Sequence, residues 1–298
     1  MTQTTTARVA VITGASSGIG LEAAKALAAQ GWRIIALGRD PQRSAAALRD
    51  IRAAAGAGQS VEMIIADLAI LRDVDRAARE VAASTKRADV LLNNAGGTPK
   101  ERVVTAEGNE ATFVGNHLGH FLLTHRLMPL LLNAAADQTR GAVRIINVSS
   151  SAHEYSTGLD WDDLQLLRNF ATGRAYMNAK LANVLFTREL AKRMAPSGIV
   201  CHAVHPGFVN TNFASHGDAN MQRYYEEKRD IAITAVEGAD TLIWLATASE
   251  PGNTNGGYFF KRAPGTVSAL GQDDAAAKRL WTESEALIKR AGYRLNPE

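Results

Sequence analysis

The stretch that decides the reading is RVAVITGASSGIG, Arg8 to Gly20. The run 8–13 is rich in β-branched residues and predicts a short buried strand. Three glycines follow, Gly14, Gly18 and Gly20, and an alanine-rich segment then predicts a helix over 18–30. A tight turn between strand and helix leaves backbone N–H groups pointing at one spot. The helix dipole makes that spot favourable for phosphate. Glycine permits the turn and lets a pyrophosphate come close to the backbone. A glycine triplet alone is weak evidence, but in a strand–turn–helix near the N-terminus it reads as dinucleotide binding.

Outward from this unit the same alternation continues. Strands are predicted at 33–38, 61–66, 89–94, 143–149, 199–205 and 256–260. Helices are predicted near 41–55, 70–86, 107–136, 174–195 and 234–248, with a charged helix ending the tail beyond about 264. Near-continuous apolar strands mean both sheet faces are covered. Strict alternation means a mostly parallel sheet with right-handed crossovers. The expectation is one domain over 1–298: α/β, doubly wound (Rossmann), about seven strands, helices on both faces. Three more polar excursions interrupt it, at 97–106, 151–172 and 211–230.

The 298 residues are 46% hydrophobic and 21% charged, the profile of a soluble globular chain. A net charge of +3 with no basic block points away from nucleic acid. The single cysteine, Cys201, allows no internal disulfide. With no leader-like N-terminus and no apolar run of spanning length, the expected setting is cytoplasmic and away from membranes.

The spacing Gly-x-x-x-Gly-x-Gly resembles the short-chain dehydrogenase/reductase family. Further signatures follow in the family's order: ADL with Asp67, NNAG from Asn93 to Gly96, GNHLGHF with Asn116, NVSSSAH, a Tyr-x-x-x-Lys pair at Tyr176 and Lys180, and HPGFVNT from His205 to Thr211. Each motif alone is modest; the ordered set, covering about 8 to 260, is specific. Within the family it resembles the retinol dehydrogenase and protochlorophyllide reductase branch. The resemblance implies catalytic roles for Asn116, Ser150, Tyr176 and Lys180. It also implies a cofactor site formed by Gly14, Ser16, Ser17, Gly18, Ile19, Gly20, Arg39, Asp67, Leu68, Asn94, Tyr176, Lys180, Pro206, Gly207, Val209 and Thr211. Tyr and Lys four apart share one helix face. A free phenol titrates near ~10, poorly matched to neutral pH, and a neighbouring cation is expected to lower that value. Tyr176 then gives or takes the proton at the substrate oxygen, and the second serine of NVSS, Ser150, polarises that oxygen. Lys180 also holds the nicotinamide ribose. The resemblance implies that Asn116 bends its helix and holds a water against the lysine.

At the end of the second strand Gly38 stands where an acid would bind the ribose of NAD, and Arg39 follows. Arginine can pair with a 2′-phosphate, so NADP is expected in preference to NAD. Asp40 reads as a helix N-cap before Pro41. The histidines His117, His120, His202 and His205 offer no third ligand, and no metal is expected. The expected reaction is hydride transfer between nicotinamide and a bulky apolar ketone, aldehyde or alcohol. Its pocket would be framed by 151–172 and 211–230, with Tyr155, Trp161, Phe170, Phe213, Met221, Tyr224 and Tyr225. Alternatives are a non-catalytic NADP sensor, and epimerase or dehydratase chemistry of the same superfamily. Family members often pair the Tyr-x-x-x-Lys helix across a dimer. A homodimer or homotetramer is therefore one expectation and a monomer another, since 151–172 could obstruct that surface.

Overall fold

The computed structural model describes residues 7–210 and 218–295. The chain opens with β1 (Val9–Thr13), α1 (Gly18–Ala29), β2 (Arg33–Gly38), α2 (Pro41–Ala54), β3 (Val61–Ile65), α3 (Leu71–Ser84) and β4 (Val90–Asn93). One long helical segment follows: α4 (Ala111–Phe113), a π turn (Val114–Leu118) and α5 (Gly119–Ala136). Then come β5 (Arg144–Val148), α6 (Thr172–Met194), β6 (Val200–Val204), α7 (Ala219–Glu227), α8 (Ala235–Thr247), β7 (Tyr258–Phe260), β8 (Ala263–Pro264) and α9 (Asp274–Arg290).

The sheet runs β3-β2-β1-β4-β5-β6-β7-β8. All pairings are parallel except β7 with β8. The count is eight rather than about seven; the addition is a two-residue strand folded back on β7. Strand order reverses between β1 and β4, and a ligand belongs at the carboxyl ends of the strands there.

Alternation along the strands feeds two cores. Val9, Val11, Ile35, Leu37 and Leu91 pack with residues of α3, α5, α6 and α9 on one face. Ala10, Ile12, Ile34, Ala36 and Leu92 pack with α1 and α8 on the other. Asp40 caps α2 by accepting the Arg43 N–H at 2.7 Å, with Pro41 at the first helical position. The long helix starts at Ala111 rather than 107, because the Glu110 carboxylate accepts from Thr112 and Phe113 N–H and forms the cap. In α9, Ala277, Leu280, Trp281, Ser284, Leu287 and Ile288 form a buried face. No helix among the described residues is long and apolar enough to cross a membrane.

Candidate active site

The glycine turn joins β1 to α1 at the strand-order reversal. Gly14 has φ +67° and Gly18 φ +56°, conformations that favour glycine. A β-carbon on Gly20 would overlap the Asn94 amide and lie 2.5 Å from the Gly14 carbonyl oxygen. The third glycine therefore lets helix and strand close together. Ser17 begins α1 without a side-chain cap, and the first turn carries no acid. The first N–H groups of α1 thus have no capping side chain, which fits a pyrophosphate.

Asn94 lies beneath this turn. Its Nδ2 donates to Thr13 O at 2.8 Å, tying β4 to the turn. Beyond β6, Gly207 has φ +98°. A β-carbon on Gly238 would lie 2.7 Å from Val209 and 2.8 Å from Ile19, so α8 brings the 206–209 segment beside the glycine turn. Thr211 lies outside the described residues.

Next to the turn, α6 carries Tyr176 and the buried Lys180, whose Nζ is 5.4 Å from the Tyr176 ring centroid. Lys180 Nζ donates to Val148 O at 3.3 Å. Ser149 donates its hydroxyl to Lys180 O at 2.8 Å, which ties it to the helix backbone. Ser150 is the serine that hydrogen-bonds with the Tyr176 hydroxyl. Burial pushes the Tyr176 phenol up to about 12, with the Ser150 hydrogen bond pulling the other way. Burial draws Lys180 down to about 8. The expected lowering of the phenol by the lysine is therefore not what this protein alone produces. Desolvation outweighs the Ser150 hydrogen bond, and the phenol keeps its proton at neutral pH.

The π turn brings Asn116 to the same place. Its Nδ2 donates to Gly97 O at 2.6 Å and Thr112 O at 2.8 Å, while its buried Oδ1 has no protein partner. A β-carbon on Gly96 would lie 2.5 Å from that Oδ1 and 3.4 Å from Lys180 Nζ. Glycine there leaves the amide and the ammonium facing one small space. His117 and His120 hold the turn from two sides. His117 Nε2 is 2.9 Å from Ser284 Oγ of α9, and His120 Nε2 is 2.9 Å from Thr13 Oγ1. They bind different elements and do not converge on one point.

At the adenosine end, the Arg39 guanidinium lies 3.9 Å from the Asp67 carboxylate and is 59% exposed. Asp67 accepts the Ala69 N–H at 2.9 Å, which shapes the loop containing Leu68. Asp40 is engaged as the cap of α2, as its position before Pro41 predicts.

The excursion at 151–172 is ordered by its own polar contacts. The Asp163 carboxylate accepts the N–H groups of Leu167, Arg168 and Asn169. Gln165 accepts the Glu110 N–H and donates to Asn109. Trp161 sits under Arg279 of α9, with the guanidinium 4.5 Å from the ring centroid, and Tyr155 is 74% exposed. A cavity of about 210 Å³ between 161–167 and α9 is lined by none of the four predicted catalytic residues. Met221, Tyr224 and Tyr225 fall within α7, and Phe213 lies outside the described residues.

Sequence reasoning missed Tyr258 and His153. His153 Nδ1 is 2.7 Å from Ser150 O, and its ring meets the Tyr258 ring edge-on at 4.9 Å. Both lie within recognisable motifs, NVSSSAH and GGYFF, but nothing in either motif shows that the two rings meet.

Together, a doubly wound sheet, a glycine turn at its strand reversal and a Ser–Tyr–Lys–Asn cluster beside that turn define a nucleotide-dependent oxidoreductase. The chain belongs to the short-chain dehydrogenase family, whose profile, "short chain dehydrogenase", matches residues 8–222. It is 36% identical to mouse (Mus musculus) retinol dehydrogenase 11, over 94% of this chain and 86% of the relative. It is also 36% identical to the proposed daunorubicin C-13 ketoreductase DnrU of Streptomyces sp. (strain C5), over 94% of this chain and 92% of that protein. A crystal structure of an uncharacterised Mycobacterium paratuberculosis protein superposes with a TM-score of 0.74 at 32% identity, covering 95% of this chain and 93% of that one. The protein is an NAD(P)-dependent oxidoreductase acting on CH–OH and C=O groups.

Proposed function

We propose that the protein is an NADP-dependent carbonyl reductase and alcohol dehydrogenase for bulky apolar ketones, aldehydes or secondary alcohols. The observation that carries the reading is the Tyr176 hydroxyl hydrogen-bonded with Ser150, with Lys180 one helical turn away. NADP, bound between the glycine turn and α6, would supply or accept the hydride. Ser150 hydrogen-bonds to the substrate oxygen and orients the carbonyl. Tyr176 delivers its proton to that oxygen in reduction and removes it in oxidation. Lys180 would hold the nicotinamide ribose, and Arg39 would pair with a 2′-phosphate. For substrate size, support comes from the relatives, named for retinol and for the C-13 ketone of daunorubicin.

Tyr176→Phe keeps the ring and removes only the hydroxyl. Turnover should fall by roughly 10²-fold or more, the scale of general acid–base catalysis, with cofactor binding near wild type. A folded Phe variant that retains substantial activity would sink the assignment. On a ketone panel, a ring-bearing ketone should exceed acetone in kcat/KM by orders of magnitude, since burial contributes about 25 cal/mol per Å² of apolar surface. Equal values would remove the apolar pocket, and no turnover on any carbonyl or alcohol would favour a cofactor sensor.

A further inference from the structure

We propose that His120 is a positioning residue for the reaction. It fastens the π turn carrying Asn116 to the end of β1, so that the catalytic turn and the glycine turn are held as one body. The inference rests on the reading of Tyr176 and Lys180 given above.

His120 is 2% exposed and makes two contacts, one from each ring nitrogen. Nδ1 lies 3.1 Å from the Asn116 carbonyl oxygen, and Nε2 lies 2.9 Å from Thr13 Oγ1. Burial pulls the imidazole down to about 4, so it is neutral at pH 7. A carbonyl only accepts, so the single ring hydrogen sits on Nδ1 and Nε2 must itself accept. Thr13 therefore donates to His120. The Thr13 oxygen also accepts the N–H groups of Asn94 and Ala95, both at 2.9 Å. One donor and two acceptors use that hydroxyl completely. The Leu92 carbonyl, 3.2 Å away, is the weaker competitor for the same hydrogen.

The result is a continuous buried path from the NNAG strand end, through Thr13, to the backbone of the residue whose side chain faces Lys180. No other side-chain hydrogen bond among the described residues joins β1 to the π turn. Its loss would remove the side-chain tie between the Asn116 carbonyl and β1. A misplacement of about 1 Å at a catalytic group can cost up to 10²-fold in rate.

The test uses the full-length enzyme. His120→Leu keeps bulk and removes both hydrogen bonds. It should lower kcat by about tenfold or more, with the KM for a ketone near wild type, the pattern of an interaction that matters in the transition state. Thr13→Val should fall at least as far, since it also takes the acceptor from the Asn94 and Ala95 N–H groups, and Thr13→Ser should keep wild-type turnover because the hydroxyl remains. The double variant Thr13→Val/His120→Leu should fall little further, since both changes break one path. A merely structural histidine would lower melting temperature and leave kcat per folded enzyme unchanged. Unchanged kcat in folded His120→Leu, or full addition of the two effects, overturns the proposal. If His120→Leu does not fold, equal turnover in Thr13→Val and Thr13→Ser overturns it. Nitrogen NMR of histidine-labelled protein gives an independent readout: the His120 hydrogen should be on Nδ1, and a hydrogen on Nε2 would refute the path. An active Tyr176→Phe variant would instead show that the underlying reading has failed.

Discussion

At Gly38 the absent side chain does more than leave an acidic position empty. A β-carbon there would overlap Ser44 Oγ and lie 2.9 Å from Ser16 Cβ. An aspartate at 38 would therefore have to displace the first turn of α2. Gly38→Asp alone should lower the melting temperature, and adding Ser44→Ala should restore part of it. The Ser44 hydroxyl is buried with no partner, so its removal forfeits no hydrogen bond. Thermal melts of the single and double variants check this, and an unchanged melt for Gly38→Asp alone would refute it. Arg39→Ala should raise the NADPH KM by about 10- to 100-fold, the worth of a charge-assisted pair of about 1.5–3 kcal/mol. It should leave NADH kinetics close to wild type; an unchanged NADPH KM would show that Arg39 is a solvated loop residue. The proton also has a direction. With Tyr176 held at about 12 the phenol is an acid in waiting. Ketone reduction should hold its rate across neutral pH, while alcohol oxidation should climb as pH rises and the deprotonated form accumulates. Rate profiles in both directions decide it. The places of Gly38, Arg39, Ser150, Tyr176 and Lys180 in the fold were legible because each stands at a fixed offset from a strand end or on one helix face. Ser44 and His120 were not, because their importance lies in contacts across the fold, which spacing along the chain does not encode.

Among the elements, the π turn departs most from what periodicity predicts. The run 107–136 reads as one amphipathic helix, yet it winds wide at Val114–Leu118. The cause is tertiary. Gly119 packs against the backbone of the loop after β3, where a β-carbon would overlap the Leu68 carbonyl oxygen. Asn116, His117 and His120 also bind the loop after β4, α9 and β1 respectively. Four surroundings thus hold the π turn and the two residues after it, and no apolar repeat records them. Gly119→Ala should cost about 1–3 kcal/mol or more, the usual penalty of overpacking, and should weaken NADPH binding because the displaced loop includes Asp67. Urea midpoints and a cofactor titration test both parts; full stability with normal affinity would mean that the loop moves freely. The strands, by contrast, were legible almost to the residue. Buried parallel strands are short, β-branched runs flanked by turn residues, and the chain marks them clearly. The two-residue β8 carries too little pattern to be seen.

Taken whole, the molecule shields five imidazoles among the described residues enough to lower their proton affinity. Burial holds His117 at about 3 and His120, His125, His202 and His205 at about 4, against an ordinary value of 6.5. Above pH ~6.5 both folded and unfolded forms are neutral and the groups contribute their full stability. As pH falls from there towards 4, the unfolded chain binds protons that the fold refuses, and stability is lost. Glu110, whose carboxyl burial holds above its ordinary range, works the other way, but it is one group against five. Melting temperature should drop steeply between pH 6.5 and 4, and a flat profile by calorimetry would contradict this account. At the same scale, α9 closes one face of the domain. Trp281 is 3% exposed, 5.0 Å from the Phe121 ring, 5.9 Å from Phe186 and 4.2 Å from the Arg193 guanidinium. Trp281→Ala should therefore cost about 3–5 kcal/mol in a denaturant titration; a loss below about 1 kcal/mol would show α9 to be an appendage. α9 lies along α6. The position of α9 has one more consequence, for a chain still on the ribosome. Synthesis runs from the N-terminus at roughly 5–20 residues per second, and Trp281 is made well after Phe121 and Phe186. Until it emerges, Phe121 and Phe186 lack their covering side, so the nascent protein presents an oily face for seconds and must depend on chaperones or on speed to finish.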